Sequence, residues 1–103
     1  MKWHKVTYPG NIPLREGRAV KVCGEEIAIF NLGDEFVAVD NRCPHQGGPL
    51  ADGIVTGEKV VCPLHSWRIC LRSGAILKPA LPVRTQVYQV RVKDGIVEVQ
   101  LPS

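Results

Sequence analysis

The stretches Cys43-Pro44-His45 and Cys62-Pro63-Leu64-His65 decide how this chain is read. Each offers one thiol and one imidazole, and sixteen residues separate His45 from Cys62. Their seven positions hold two of the three histidines and two of the four cysteines in the chain. Two thiolates and two imidazoles suit a thiophilic, imidazole-tolerant metal such as iron or zinc. The order of the donors carries further information. A zinc finger groups its cysteines in one pair and its histidines in another, whereas here each stretch runs from Cys to His. Two parallel loops of that kind can bring both cysteines to one metal ion and both histidines to a second. A mononuclear zinc site is another reading, and two buried thiols beside two surface imidazoles is a third.

The surroundings of the half-sites are loop-like. Gly47-Gly48-Pro49 follows the first, and Pro44 and Pro63 lie inside the two. Glycine lets backbone approach an inorganic core without a Cβ clash, and proline stiffens a loop that must hold a ligand still. Elsewhere short runs rich in Val and Ile alternate with Gly, Asp and Asn turns, the pattern of an all-β chain. Residues 19–23 and 26–30 flank Gly24-Glu25, read as a hairpin. Leu32-Gly33-Asp34 turns the chain into a strand over 35–40, and 59–62 and 67–71 read as strands around the second half-site. Residues 86–92 and 96–101 flank Asp94-Gly95, the strongest hairpin signal present. No window predicts a helix of three turns, and no repeat or linker is visible.

With 103 residues the chain is read as one domain, 1–103, with a small core. No apolar run approaches 18 residues, which excludes a membrane-spanning helix. The start, Met1-Lys2-Trp3-His4-Lys5, carries no secretory signal, so a cytoplasmic location is expected. Four cysteines could form two disulfides, but nothing indicates secretion. The formal charge is +3. That favours an acidic protein partner over nucleic acid, because no stacking motif accompanies the basic residues.

Cys43-Pro-His-Gln-Gly-Gly-Pro-Leu50 and Cys62-Pro-Leu-His-Ser-Trp67 resemble the two cluster loops of Rieske proteins. In a Rieske [2Fe–2S] centre two His replace two Cys on one iron. The likeness extends through residues 27–30, 37–41 and 69–74. It resembles above all the small subunit of NAD(P)H-dependent nitrite reductase, and next the Rieske ferredoxins of ring-hydroxylating dioxygenases. The resemblance implies an antiparallel sandwich or barrel-like base with a small cluster-binding subdomain at about 42–80. It implies one [2Fe–2S] cluster per chain, held by Cys43, His45, Cys62 and His65, with the histidine-bound iron near the surface. It also implies a protein redox partner: a large flavin- and sirohaem-containing subunit that reduces nitrite to ammonium, or an oxygenase with its reductase. No catalytic residue is visible, so catalysis is expected in the partner. A zinc-stabilised binding module is the reading of a different class. Contact is expected around Gln46–Leu50 and Leu64–Trp67.

Other residues receive plainer readings. Cys23 and Cys70 sit among apolar residues and are expected to be small buried hydrophobes. His4 is expected at a surface or edge. Trp67 is expected to anchor its loop and shield it from water. Pro79 and Pro82 belong to a loop that the resemblance packs against the cluster. The two positions that carry an extra loop disulfide in high-potential Rieske proteins are Gly48 and Leu64 here, so that bond cannot form. Ser66 stands where a Gly usually follows the second histidine, at some cost if the position needs φ > 0.

Overall fold

A computed structural model describes residues 1–44, 47–64 and 66–101. His45, Gln46 and His65 therefore lie outside the described residues. The strands are β1 (Lys2–Thr7), β2 (Gly17–Val22), β3 (Glu25–Asn31), β4 (Phe36–Asp40), β5 (Ile54–Thr56), β6 (Lys59–Val61), β7 (Arg68–Cys70), β8 (Ile76–Lys78), β9 (Val87–Tyr88), β10 (Val90–Lys93) and β11 (Ile96–Leu101). Two short 3₁₀ turns, Pro9–Asn11 and Leu50–Asp52, are the helical elements among the described residues. The all-β expectation is met.

The strands form three antiparallel sheets, ordered β1-β11-β10, β2-β3-β4-β9 and β5-β6-β7-β8. The second of these is the middle layer. On β3, Ile27, Ala28, Ile29 and Phe30 are all fully buried, so both faces of the strand are covered. That explains a continuous apolar run where a half-exposed strand would alternate. Ile27 and Ile29 pack with Val97, Val99 and Leu101 of the three-stranded sheet. Ala28 and Phe30 pack the other way, with Val60, Ile69 and Ile76 of the third sheet and with Cys43 and Cys62. Burying a side chain such as Ile or Phe is worth about 1.5–3 kcal/mol. The middle sheet therefore ties both outer layers into one structure.

Two turns depart from the sequence reading. The β2–β3 hairpin turns at Cys23-Gly24, one residue earlier than expected. Both have positive φ, 51° and 81°, as a two-residue I′ turn requires. The shift places Cys23 in the turn and exposes it, so the buried-hydrophobe expectation for Cys23 is corrected. Its Sγ lies 3.9 Å from each ring nitrogen of His4 on the edge strand β1. The expected strand over 86–92 is two strands. Val87 and Tyr88 pair with β4 in the middle sheet, and Val90 onward pairs with β11. The Asp94-Gly95 turn holds, with φ of 52° and 76°.

Two arginine clusters differ in worth. Arg91 Nε donates to Glu98 Oε1 at 2.7 Å, and the Glu98 side chain is only 7 % exposed. The Arg91 guanidinium also lies 4.1 Å over the Trp3 ring. Arg72 instead meets Glu58, Glu35 and Asp34, whose side chains are 49–70 % exposed, and exposed pairs contribute little. We therefore expect Arg91→Ala, which strands a buried carboxylate, to cost about 2 kcal/mol in urea denaturation. Arg72→Ala should cost clearly less, and the reverse order would show that the exposed cluster is the stronger clamp.

Candidate metal centre

Three hairpin loops in this chain share one backbone pattern. In the first, Arg42 bridges Pro49, the Cys43 N–H donates to the Gly48 carbonyl at 2.8 Å, and the Gly47 N–H donates to the Cys43 carbonyl at 2.8 Å. In the second, Val61 pairs Arg68, the Cys62 N–H donates to Trp67 at 2.7 Å, and the Ser66 N–H donates to Cys62 at 3.0 Å. In the third, Ile69 pairs Ile76, the Cys70 N–H donates to Ala75 at 2.9 Å, and the Gly74 N–H donates to Cys70 at 2.8 Å. Each loop thus opens on a cysteine and closes through a residue with positive φ: Gly47 at 72°, Ser66 at 58° and Gly74 at 78°. Ser66 does sit where φ must be positive, so its departure from Gly carries strain.

Cys43 and Cys62 are 3 % and 2 % exposed and belong to the same packed core with Leu50, Val60 and Ile69. Gly48 shows how tightly the first loop meets the second. A Cβ built on it would lie 2.9 Å from the Leu64 side chain and 3.1 Å from Cys62 Sγ. The two positions singled out for the missing disulfide, 48 and 64, are therefore direct neighbours. The loop tips face outward: Pro44, Gly47, Pro63 and Leu64 are exposed. Trp67 is half-buried against the same core, as an anchoring role requires.

Asn41 places the first loop, and the sequence reading gave it no role. It is 2 % exposed. Its Oδ1 accepts the Ala51 N–H at 2.8 Å, and its Nδ2 donates to Glu26 Oε1 at 2.6 Å. Its backbone N–H donates to the Glu26 carbonyl and its carbonyl accepts the Leu50 N–H. One side chain thus pins both ends of the loop to β3. The signal in the sequence was an amide directly after an apolar strand and two residues before a cysteine.

Cys70 heads the third loop, and its expected full burial is corrected to partial burial. It lies opposite Lys59 on the outer face of β7, away from the core face of Ile69. Partial burial works to raise its thiol pKa. The Ser73 hydroxyl and the N–H groups of Ser73 and Arg72 outweigh that and hold it below the ordinary value. The Lys78–Pro79 end of the proline loop lines a groove with Ser66 and Trp67.

Two buried thiols carried on matching loops are donors that an iron–sulfur centre can use. Two thiols enter one core from loops of the same shape, and a glycine leaves space beside one of them. The fold and the loops define a small all-β protein with two matching hairpin loops, each opening on a buried cysteine. The chain belongs to the Rieske [2Fe-2S] domain family, whose model matches residues 2–91, and the cofactor of that family is a Rieske-type [2Fe–2S] cluster. It is 37 % identical over 91 residues to the 3-phenylpropionate/cinnamic acid dioxygenase ferredoxin subunit of Escherichia coli K12, covering 85 % of each chain. It is 33 % identical over 101 residues to the 4beta-methylsterol monooxygenase of Methylococcus capsulatus, 95 % of this chain but only 27 % of that protein's length. Its fold matches the NMR structure of E. coli NirD with a TM-score of 0.87, at 26 % identity over 99 % of this chain and 98 % of the other.

Two substitutions test the loop geometry. Gly48→Ala should lower the iron content of the purified protein, while Gly10→Ala, whose Cβ would meet nothing within 4 Å, should not. Ser66→Gly should raise thermal stability slightly. Relief of about 1 kcal/mol of strain is partly offset by about 0.5 kcal/mol of unfolded-state entropy. Loss of stability on Ser66→Gly would contradict the strained-loop account.

Proposed function

We propose that Cys43, His45, Cys62 and His65 hold one Rieske-type [2Fe–2S] cluster, and that this protein hands single electrons to a separate catalytic chain. The observation that carries the reading is the burial of Cys43 and Cys62 in one core, delivered by loops of identical backbone pattern. When bound, such a cluster takes up and releases one electron at a time with little atomic movement. The chain's own residues do the rest. Leu50, Val60 and Ile69 keep water from the thiols, Asn41 holds the first loop at both ends, and Pro44 and Pro63 stiffen the turns. In sequence His45 and His65 directly follow Pro44 and Leu64, both exposed, which suits contact with a partner. Residues 42–80 serve as the cluster-binding subdomain. We place the protein in the cytoplasm, whose reducing conditions keep cysteines available as metal ligands.

Two partners are in play. The first is the flavin- and sirohaem-containing large subunit of an NAD(P)H-dependent nitrite reductase, a reading supported by the whole-length likeness to NirD. The second is a ring-hydroxylating dioxygenase, favoured by the 37 % identity to the E. coli ferredoxin subunit. Reconstitution separates them. The first requires co-purification with the large chain and NAD(P)H-dependent nitrite reduction. Turnover of an aromatic-ring oxygenase without such binding would instead establish the second.

Ligand substitutions and the potential test the cluster itself. The double variant His45→Ala, His65→Ala should lose the Rieske EPR signal, and Cys43→Ser or Cys62→Ser should give little cluster and a less stable chain, because metal binding is coupled to folding. Cys23→Ser and Cys70→Ser should retain it. A full cluster in the double histidine variant would overturn the ligand assignment. Trp67 and Ile69 stand where high-potential Rieske proteins carry hydroxyl donors to the cluster, and neither can donate one. The midpoint should therefore lie near the low end of the Rieske range, about −150 mV. A value above zero would contradict the hydroxyl argument.

A further inference from the structure

The charge of this protein is concentrated in one half. Residues 42–84 carry six Lys and Arg against two Asp and Glu, while the remainder carries seven against eight. The whole net positive charge therefore belongs to the segment that contains both cysteine loops and the third sheet. An oxidised [2Fe–2S]²⁺ core with two thiolates and neutral imidazoles leaves that balance unchanged.

Within that segment the cations are not equivalent. Arg42 is held by Asp40, and Arg72 is surrounded by Asp34, Glu35 and Glu58. Lys59, Arg68, Lys78 and Arg84 are exposed, and no ion pair joins any of them to another described residue. The register of the third sheet puts three of these four on one face. Val60, Ile69 and Ile76 point into the core, and Val60 lies opposite Ile69 as Ile69 does opposite Ile76. Side chains alternate along β6 and β7, so Lys59 and Arg68 share the outward face, and a β-bulge between the Ile69–Ile76 and Arg68–Lys78 pairs brings Lys78 to that face, directly opposite Arg68. The carboxylate nearest in sequence, Glu58, is drawn off by Arg72 at 2.6 Å.

This face runs into the second cysteine loop. Arg68 and Lys78 line a groove of about 460 Å³ with Ser66, Trp67 and Pro79. One wall of the groove is therefore the segment that directly follows His65. Cations of one sign beside the second cysteine loop, with no ion-paired carboxylate among the described residues, form a guide for an anionic partner.

Resting on the electron-carrier reading above, we propose that the outward face of the β5–β8 sheet is a docking surface for an acidic protein. Lys59, Arg68 and Lys78 receive carboxylates of the redox partner and seat it over the Ser66–Trp67 end of the second loop. The expected contact is thus extended from the loop tips onto the sheet. Rim charges of this kind govern the rate of encounter and its salt dependence more than the final affinity.

The test uses reduced holoprotein whose visible and EPR spectra already show an intact Rieske cluster. Failure of those spectra would count against the carrier reading instead. Two one-electron oxidants of opposite charge serve as probes: ferricyanide, which becomes ferrocyanide, and hexaamminecobalt(III), which becomes cobalt(II). From low salt to about 0.3 M, the ferricyanide rate should fall about tenfold and the cobalt rate should rise. In the variant Lys59→Glu, Arg68→Glu, Lys78→Glu the two trends should exchange. The variant Lys59→Gln, Arg68→Gln, Lys78→Gln, which adds no repulsion, should flatten both and guards against misfolding. Retention on immobilised poly-L-glutamate should likewise depend on these three residues. Identical salt trends for both oxidants, or trends unaltered in both variants, would overturn the proposal. So would tighter binding of a short DNA duplex than of poly-L-glutamate through the same side chains, since the surface would then suit nucleic acid.

Discussion

Two thiols nineteen residues apart in sequence must arrive at the same place. The rest of the structure depends on that constraint. Each thiol comes on a loop closed by two backbone hydrogen bonds, and each loop closes only if its fifth residue takes a positive φ. Glycine meets the requirement freely in the first loop. Serine meets it at a cost in the second. Gly48 then lets the loops touch where any side chain would intrude. The middle sheet supplies the rigid floor. Its strand β3 is buried on both faces, so it anchors the cysteine core on one side and the three-stranded sheet on the other.

The division of labour within the chain follows from this layout. The three-stranded sheet and the back of the middle sheet contribute stability and carry a near-balanced charge. The third sheet and the cysteine loops carry Cys43, Cys62 and the excess of cations. Asn41 and Arg72 join the halves by different means. Asn41 does so through buried hydrogen bonds, which are expensive to break. Arg72 does so through exposed ion pairs, which constrain geometry more than they add stability.

The all-β class and the Asp94-Gly95 hairpin were legible in the sequence because each rests on local chemistry: alternation and turn preference. Of the half-site donors the structure describes only the cysteines, Cys43 and Cys62, which share one core. What was not legible depends on contacts distant in sequence. The turn at Cys23-Gly24 was placed one residue late, because Gly24-Glu25 looks like an equally good turn until the pairing of β2 with β3 is known. The break at Gln89 was invisible because residues 86–92 alternate well enough for one strand. Only their partners, β4 and β11, lie in different sheets. The third loop escaped notice because Cys70 lacks a histidine beside it, and its kinship with the ligand loops is a matter of backbone hydrogen bonds alone. Asn41 escaped because an amide has no motif of its own. Its role comes from reaching Glu26 and Ala51 at once.

The central claim is that two unlike metal positions share one centre, one held by Cys43 and Cys62 and the other by His45 and His65. Mössbauer spectroscopy of protein grown on ⁵⁷Fe reads this most directly. The account predicts two iron sites in equal amounts with different isomer shifts, and one-electron reduction confined to the histidine-held site, the one without thiolate charge. Two equivalent irons, or a stably folded protein containing zinc and no iron, would contradict it.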